Sequence, residues 1–65
     1  MNENTSITPI DLGKQVIIVA SGEAGQVIGR AEYLHSERQY MLRYKAADGR
    51  AVENWWHESA IKLAD

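Results

Sequence analysis

The apolar and polar positions of this chain alternate in short runs separated by turn residues, which predicts strands rather than helices. The first run covers residues 14–20 and holds Val16, Ile17, Ile18 and Val19 in succession. Their β-branched side chains favour an extended backbone, and an unbroken apolar run predicts a strand buried on both faces or sharing one face with a neighbouring molecule. Residues 21–25, with Gly22 and Gly25, read as a loop. A second strand is expected over 26–34, with Val27, Gly29, Ala31 and Tyr33 on its inner face and Ile28, Arg30, Glu32 and Leu34 on the other. Gly29 inside that strand marks a bend, a bulge or a close backbone approach. After a polar connection at 35–38, residues 40–45 place Tyr40, Leu42 and Tyr44 opposite Met41, Arg43 and Lys45. Asp48-Gly49 then gives the strongest turn signal in the chain, because glycine accepts the positive φ of a primed or bulged hairpin. A fourth strand follows over 50–57, a single helical turn over 58–60, and a short last strand over 61–63 that closes against the first.

Five short strands, a tight hairpin and one helical turn before the last strand predict an all-β fold, a small five-stranded SH3-like barrel. The barrel is expected over 13–65. Residues 1–12 are read as a flexible N-terminal tail and lead-in, polar and without period over 1–6, with Pro9 biasing Thr8 towards extension and Asp11-Leu12-Gly13 turning into the first strand.

The two adjacent tryptophans matter most for function. In a regular strand Trp55 and Trp56 point to opposite faces, so only one can enter the core. Parity with Val52 and Asn54 puts Trp56 inside and leaves Trp55 outside with Ala51, Glu53 and His57. An indole covers on the order of 200 Å², so leaving one bare forgoes roughly 3 to 5 kcal/mol. Either a bulge or the tail covers Trp55, or it is a contact site. On the second reading Trp55, His57 and Glu53, with Met41, Arg43 and Lys45 across the ladder, form the candidate binding surface.

Composition narrows the options. At 65 residues the chain has room for one domain, which buries only about 60% of its unfolded surface. With no cysteine, disulfides and thiolate zinc sites are excluded as supports, and self-association becomes a natural one. The formal net charge of -2 disfavours general binding to duplex nucleic acid and to anionic membranes. No apolar run reaches the roughly 20 residues of a membrane span, and the start lacks a signal-peptide pattern, so a cytoplasmic address is expected. His35 with Glu37, and His57 with Glu58, lack a third ligand of defined spacing, so neither a metal nor a catalytic residue is expected. The glycines at 22, 25 and 29 do not have phosphate-loop spacing, and no cofactor is expected.

Gly13, Val16, Ser21-Gly22 and Gly25-Gln26-Val27-Ile28-Gly29, together with the final hairpin, resemble the plasmid-borne type II dihydrofolate reductases. Those are short SH3-like barrels that form a tetramer around one pore where folate and nicotinamide cofactor meet. The resemblance runs from Gly13 onward and rests on turn glycines and core apolar residues, which report fold rather than chemistry. That family's Val-Gln-Ile-Tyr-Pro segment is matched by Val52-Glu53-Asn54-Trp55-Trp56, and its lysines before the Ser-Gly turn by Ile18 and Val19. Loss of cations and gain of a carboxylate argue against a pore for anionic ligands. Gly29-Arg30-Ala31-Glu32-Tyr33 and Asn54-Trp55-Trp56-His57-Glu58 also resemble segments of short uncharacterised bacteriophage and prophage proteins, which implies a small accessory protein of a mobile element and no defined activity.

The leading expectation is therefore a non-catalytic module that binds a protein partner or another copy of itself through the Trp55 face. The alternatives are a reductase-like oligomer with an altered pore, and weak binding of single-stranded nucleic acid by stacking on Trp55 and tyrosines.

Overall fold

The computed structural model describes residues 9–64. It is all-β: β1 (Gln15–Ile18), β2 (Ala24–Ala31), β3 (Gln39–Lys45), β4 (Ala51–His57), a 3-10 turn over Glu58–Ala60, and β5 (Ile61–Leu63). The strands form one antiparallel sheet in the order β4-β3-β2-β1-β5. β4 and β5 are the two edges and are not paired to each other, so the sheet is open where a closed barrel was expected. It is nevertheless curled. A flat sheet would hold strands four places apart about 19 Å from each other. The chain passes from His57 to Ile61 through only the three residues of the 3-10 turn, a span of at most about 14 Å.

Alternation places Val16, Ile18, Val27, Tyr40, Leu42 and Ile61 in one buried cluster, with Ile10, Tyr44 and Trp56 packed at its margin. Tyr40 is wholly buried and its hydroxyl is satisfied twice: it accepts from the Ile10 N–H at 2.9 Å and donates to Glu58 Oε2 at 3.0 Å. Arg38 Nη1 donates to the same oxygen at 2.6 Å, which raises the Arg38 pKa through that bond and its contact with Tyr40. One tyrosine thus ties the lead-in, β3 and the turn before β5 together, which a fully buried hydroxyl requires if it is not to be orphaned. The part of the expected tail over 1–8 lies outside the described residues.

The β3–β4 hairpin follows from Asp48-Gly49 as expected. Gly49 has φ 88° and donates its N–H to the Ala46 carbonyl at 2.8 Å, while Ala46 N–H donates to the Arg50 carbonyl at 2.9 Å. Asp48 Oδ1 accepts from the Arg50 N–H at 3.0 Å, so both residues of the dipeptide contribute to the turn.

Two strand expectations are corrected. β1 is shorter than 14–20: Val19 lies in the turn after it and is exposed, and Ile17 is only half-buried, so β1 is buried on one face. β2 runs over Ala24–Ala31, and its pairing with β3 skips a residue at Ile28, from Val27↔Leu42 to Gly29↔Met41. The bulge reverses the parity beyond it. Gly29 and Ala31 share the outer face with Met41 and Gln39, Arg30 lies opposite inward Tyr40, and Tyr33 is exposed beyond the strand end.

Candidate functional site

The outer face of β3–β4 gathers all six expected residues. The register pairs Met41 with Trp55, Arg43 with Glu53, Gln39 with His57 and Lys45 with Ala51. Side chains of directly opposed antiparallel residues share a face, so Trp55, Met41, Arg43, Glu53, His57 and Lys45 lie along one strip about 20 Å long. Trp55 and Met41 are its apolar centre; Lys45 and His57 are at opposite ends.

Trp55 is 47% exposed. Its ring does not stand free: the tip of the indole reaches to 3.9 Å from where a Gly29 side chain would begin, and Met41 Cβ to 3.2 Å from the same point. A side chain at Gly29 would crowd Met41 but would meet the indole tip only at ordinary contact distance; the bulge that turned Gly29 outward is what brings it beside Trp55. Trp56 points the other way, half-buried, and meets Tyr44 edge-on at a centroid distance of 6.0 Å and 67°. Among the described residues no group accepts from its enclosed Nε1.

Beside Trp55, Arg43 donates from Nε at 2.9 Å and from Nη2 at 2.7 Å to Glu53 Oε2. This cross-strand pair neutralises both charges next to the indole, so the centre of the strip is a neutral, partly apolar surface. At the far end His57 Nδ1 lies 3.9 Å from Glu37 Oε2. Glu37 also accepts from the Ser59 N–H at 2.9 Å and the Ser59 hydroxyl at 3.2 Å. Those two bonds, with His57 nearby, hold its carboxyl below the usual carboxylate range. The acid–histidine proximity is explained by structural bonding of the 3-10 turn, and no three His, Cys, Asp or Glu side chains cluster for a metal among the described residues.

Three neighbouring features were not anticipated as parts of a site. Gly29 was legible as a strand glycine marking a bend, a bulge or a close backbone approach, though not as a neighbour of Trp55. An open groove of about 380 Å³ lies between Gln15, Gln26, Arg43, Lys45 and Ala51, beside the strip. Its formation depends on β1 and β4 meeting β2 and β3, which no local pattern encodes. Tyr33 and Leu34, 50% and 90% exposed, form a second apolar prominence on the β2–β3 loop.

No helix among the described residues is long and apolar enough to cross a membrane. The chain matches no protein family, no curated protein and no solved structure in comparisons with each, so the geometry above carries the functional reading.

Proposed function

We propose that this protein is a non-catalytic interaction module, a small SH3-like barrel whose outer β3–β4 strip, centred on Trp55, binds a protein partner or a second copy of the chain. The observation that carries the reading is the placement of Trp55: a half-exposed indole on the outer face, its tip lying against the Met41–Gly29 backbone, next to an internally neutralised Arg43–Glu53 pair. A tryptophan fixed by its surroundings contributes contact area with little ordering cost, which is why such residues dominate interface energetics. The barrel reading is supported by the strand order together with the three-residue turn that bridges opposite sheet edges. Among the described residues, Glu37 and Arg38, whose titration is displaced, owe it chiefly to structural bonding with Ser59 and Glu58. The likeness of residues 29–33 and 54–58 to short phage proteins suits a small accessory component.

Collisional quenching of indole fluorescence, read beside molar mass in solution, tests the proposal. In the free chain the accessible emission should disappear on Trp55→Phe and survive Trp56→Phe. A monomer with both indoles shielded would remove the basis of the proposal.

A further inference from the structure

The hydrogen-bond alternation of the β3–β4 ladder determines what β4 offers on its other side. Ala46 N–H donates to Arg50 O and Glu58 N–H to Arg38 O, so the even-numbered residues of β4 are the ones bonded to β3. The backbone groups of Ala51, Glu53, Trp55 and His57 consequently point away from β3, along an edge to which no other described strand is paired. β4 itself lacks several of the usual protections of an edge: it has seven residues, no proline, no lysine and an unbroken register with β3. Its one charge, Glu53, is already bonded to Arg43. The other edge, β5, has three residues, of which only Ile61 and Leu63 turn their backbone N–H and C=O groups away from β1, because Val19 N–H donates to Ala60 O and Ala64 N–H to Gln15 O.

We infer that two copies of this chain pair antiparallel through β4, about a two-fold axis at Asn54, to make one continuous ten-stranded sheet. The inference rests on the Trp55 surface proposed above and names its partner. Outward groups can bond only where odd residues oppose odd residues, which leaves few registers. Centring on Glu53 would oppose it to its own copy and leave His57 unpaired. Centring on Trp55 would also leave Ala51 without an extended partner, since Ser59 lies in the 3-10 turn. Centring on Asn54 pairs all four: Ala51 with His57 and Glu53 with Trp55 of the second copy, twice over by symmetry.

That register also suits both faces. On the inner face each half-buried Val52 lies opposite the half-buried Trp56 of the second copy, and the exposed Asn54 amides face each other, each able to donate and accept. On the outer face Arg43 holds the Glu53 carboxylate, leaving an uncharged pair for the indole opposite. The two Trp55 rings become diagonal neighbours at the centre of the joined surface, within reach of aromatic side chains. An isologous pairing of the longer edge closes the assembly, whereas joining β4 to β5 head to tail would leave half of the β4 groups unmatched.

The test is sedimentation of the full chain from micromolar to millimolar concentration, with amide hydrogen exchange read at both ends of the range. A chain this short is accessible to chemical synthesis, so a variant methylated on the Glu53 backbone nitrogen can be compared directly. The methyl removes an outward donor while leaving the β3 ladder intact. The expected result is a dimer at high concentration, with protection at Ala51, Glu53, Trp55 and His57 that grows with concentration. N-methylation should raise its dissociation constant at least about tenfold, since each copy loses a bond. A strict monomer, or a dimer indifferent to N-methylation, overturns the β4 pairing; in either case an indole at Trp55 still open to quencher keeps the surface reading alive. Protection of the four amides that is independent of concentration overturns the pairing in favour of cover by the chain's own N-terminal residues. A monomer with Trp55 shielded overturns both.

Discussion

β3 and β4 are strands of equal length in one hairpin, with the same alternation of inward and outward residues, yet they differ in what they bury. β3 encloses Tyr40 and Leu42 completely; β4, facing the same core with Val52, Asn54 and Trp56, encloses none of them. The reason is position. β3 lies between β2 and β4 and is covered by the curl of the sheet, while among the described strands β4 has a neighbour on one side only. Stability is therefore concentrated in β3 and contact chemistry in β4, although a hydropathy pattern alone makes them look alike.

The largest contrast should appear on truncating inward residues. Leu42→Ala is expected to cost about 2 to 5 kcal/mol. That is comparable with the whole stability of roughly 3 to 10 kcal/mol expected for a chain of this size. Val52→Ala on β4 should cost about 1 kcal/mol or less, because its site is already partly solvated. Urea titrations of the two variants would measure the difference, and equal losses would show that β4 is as enclosed as β3.

Next in size is Tyr40→Phe. It keeps the packing but leaves the Ile10 N–H without its acceptor and Glu58 without one of its donors, at about 1 to 3 kcal/mol. Faster amide exchange at Ile10 should accompany it. If the exchange is unchanged, the lead-in is held by something other than this hydroxyl.

A smaller effect belongs to the Arg43–Glu53 pair. A double-mutant cycle with both residues changed to alanine should give a coupling of only about 0.2 to 1 kcal/mol, reduced by salt, as for other exposed pairs. A larger, salt-resistant coupling would mean that the pair is buried in solution, which association through β4 would explain.

Acid should reveal a subtler distinction. The Glu37 carboxyl is held below its usual range in the folded chain, chiefly by the Ser59 N–H, so its contribution to stability is fully present above the unfolded value. That contribution is lost as pH falls through the usual carboxylate range to the lower folded value, and Glu37→Gln should flatten this part of the stability curve. An identical acid limb in the variant would remove the assigned role.

Much of this was readable in advance for a physical reason. Side-chain alternation is a local, two-residue property, so the β3 and β4 faces and the opposite directions of Trp55 and Trp56 follow wherever a strand is regular. The Asp48-Gly49 hairpin and the 3-10 turn before β5 are likewise local chemistry. β2 and the end of β1 depart from the pattern that local alternation predicts. Nothing within residues 26–34 shows which residue β3 will skip, so alternation alone puts Gly29 and Ala31 inward, and the apolarity of Val19 is indifferent to where pairing stops.

Local side-chain preferences are enough to dictate that this chain makes short strands, where its tight turn falls, and that one indole must leave the core. That β4 is an edge, that a bulge at Ile28 turns Gly29 towards Trp55, and that Tyr40 joins the lead-in to the last turn emerge only once the strands are assembled. Each of these depends on contacts between segments distant along the chain, whose register is set by mutual packing and hydrogen bonding rather than by the preferences of either segment alone.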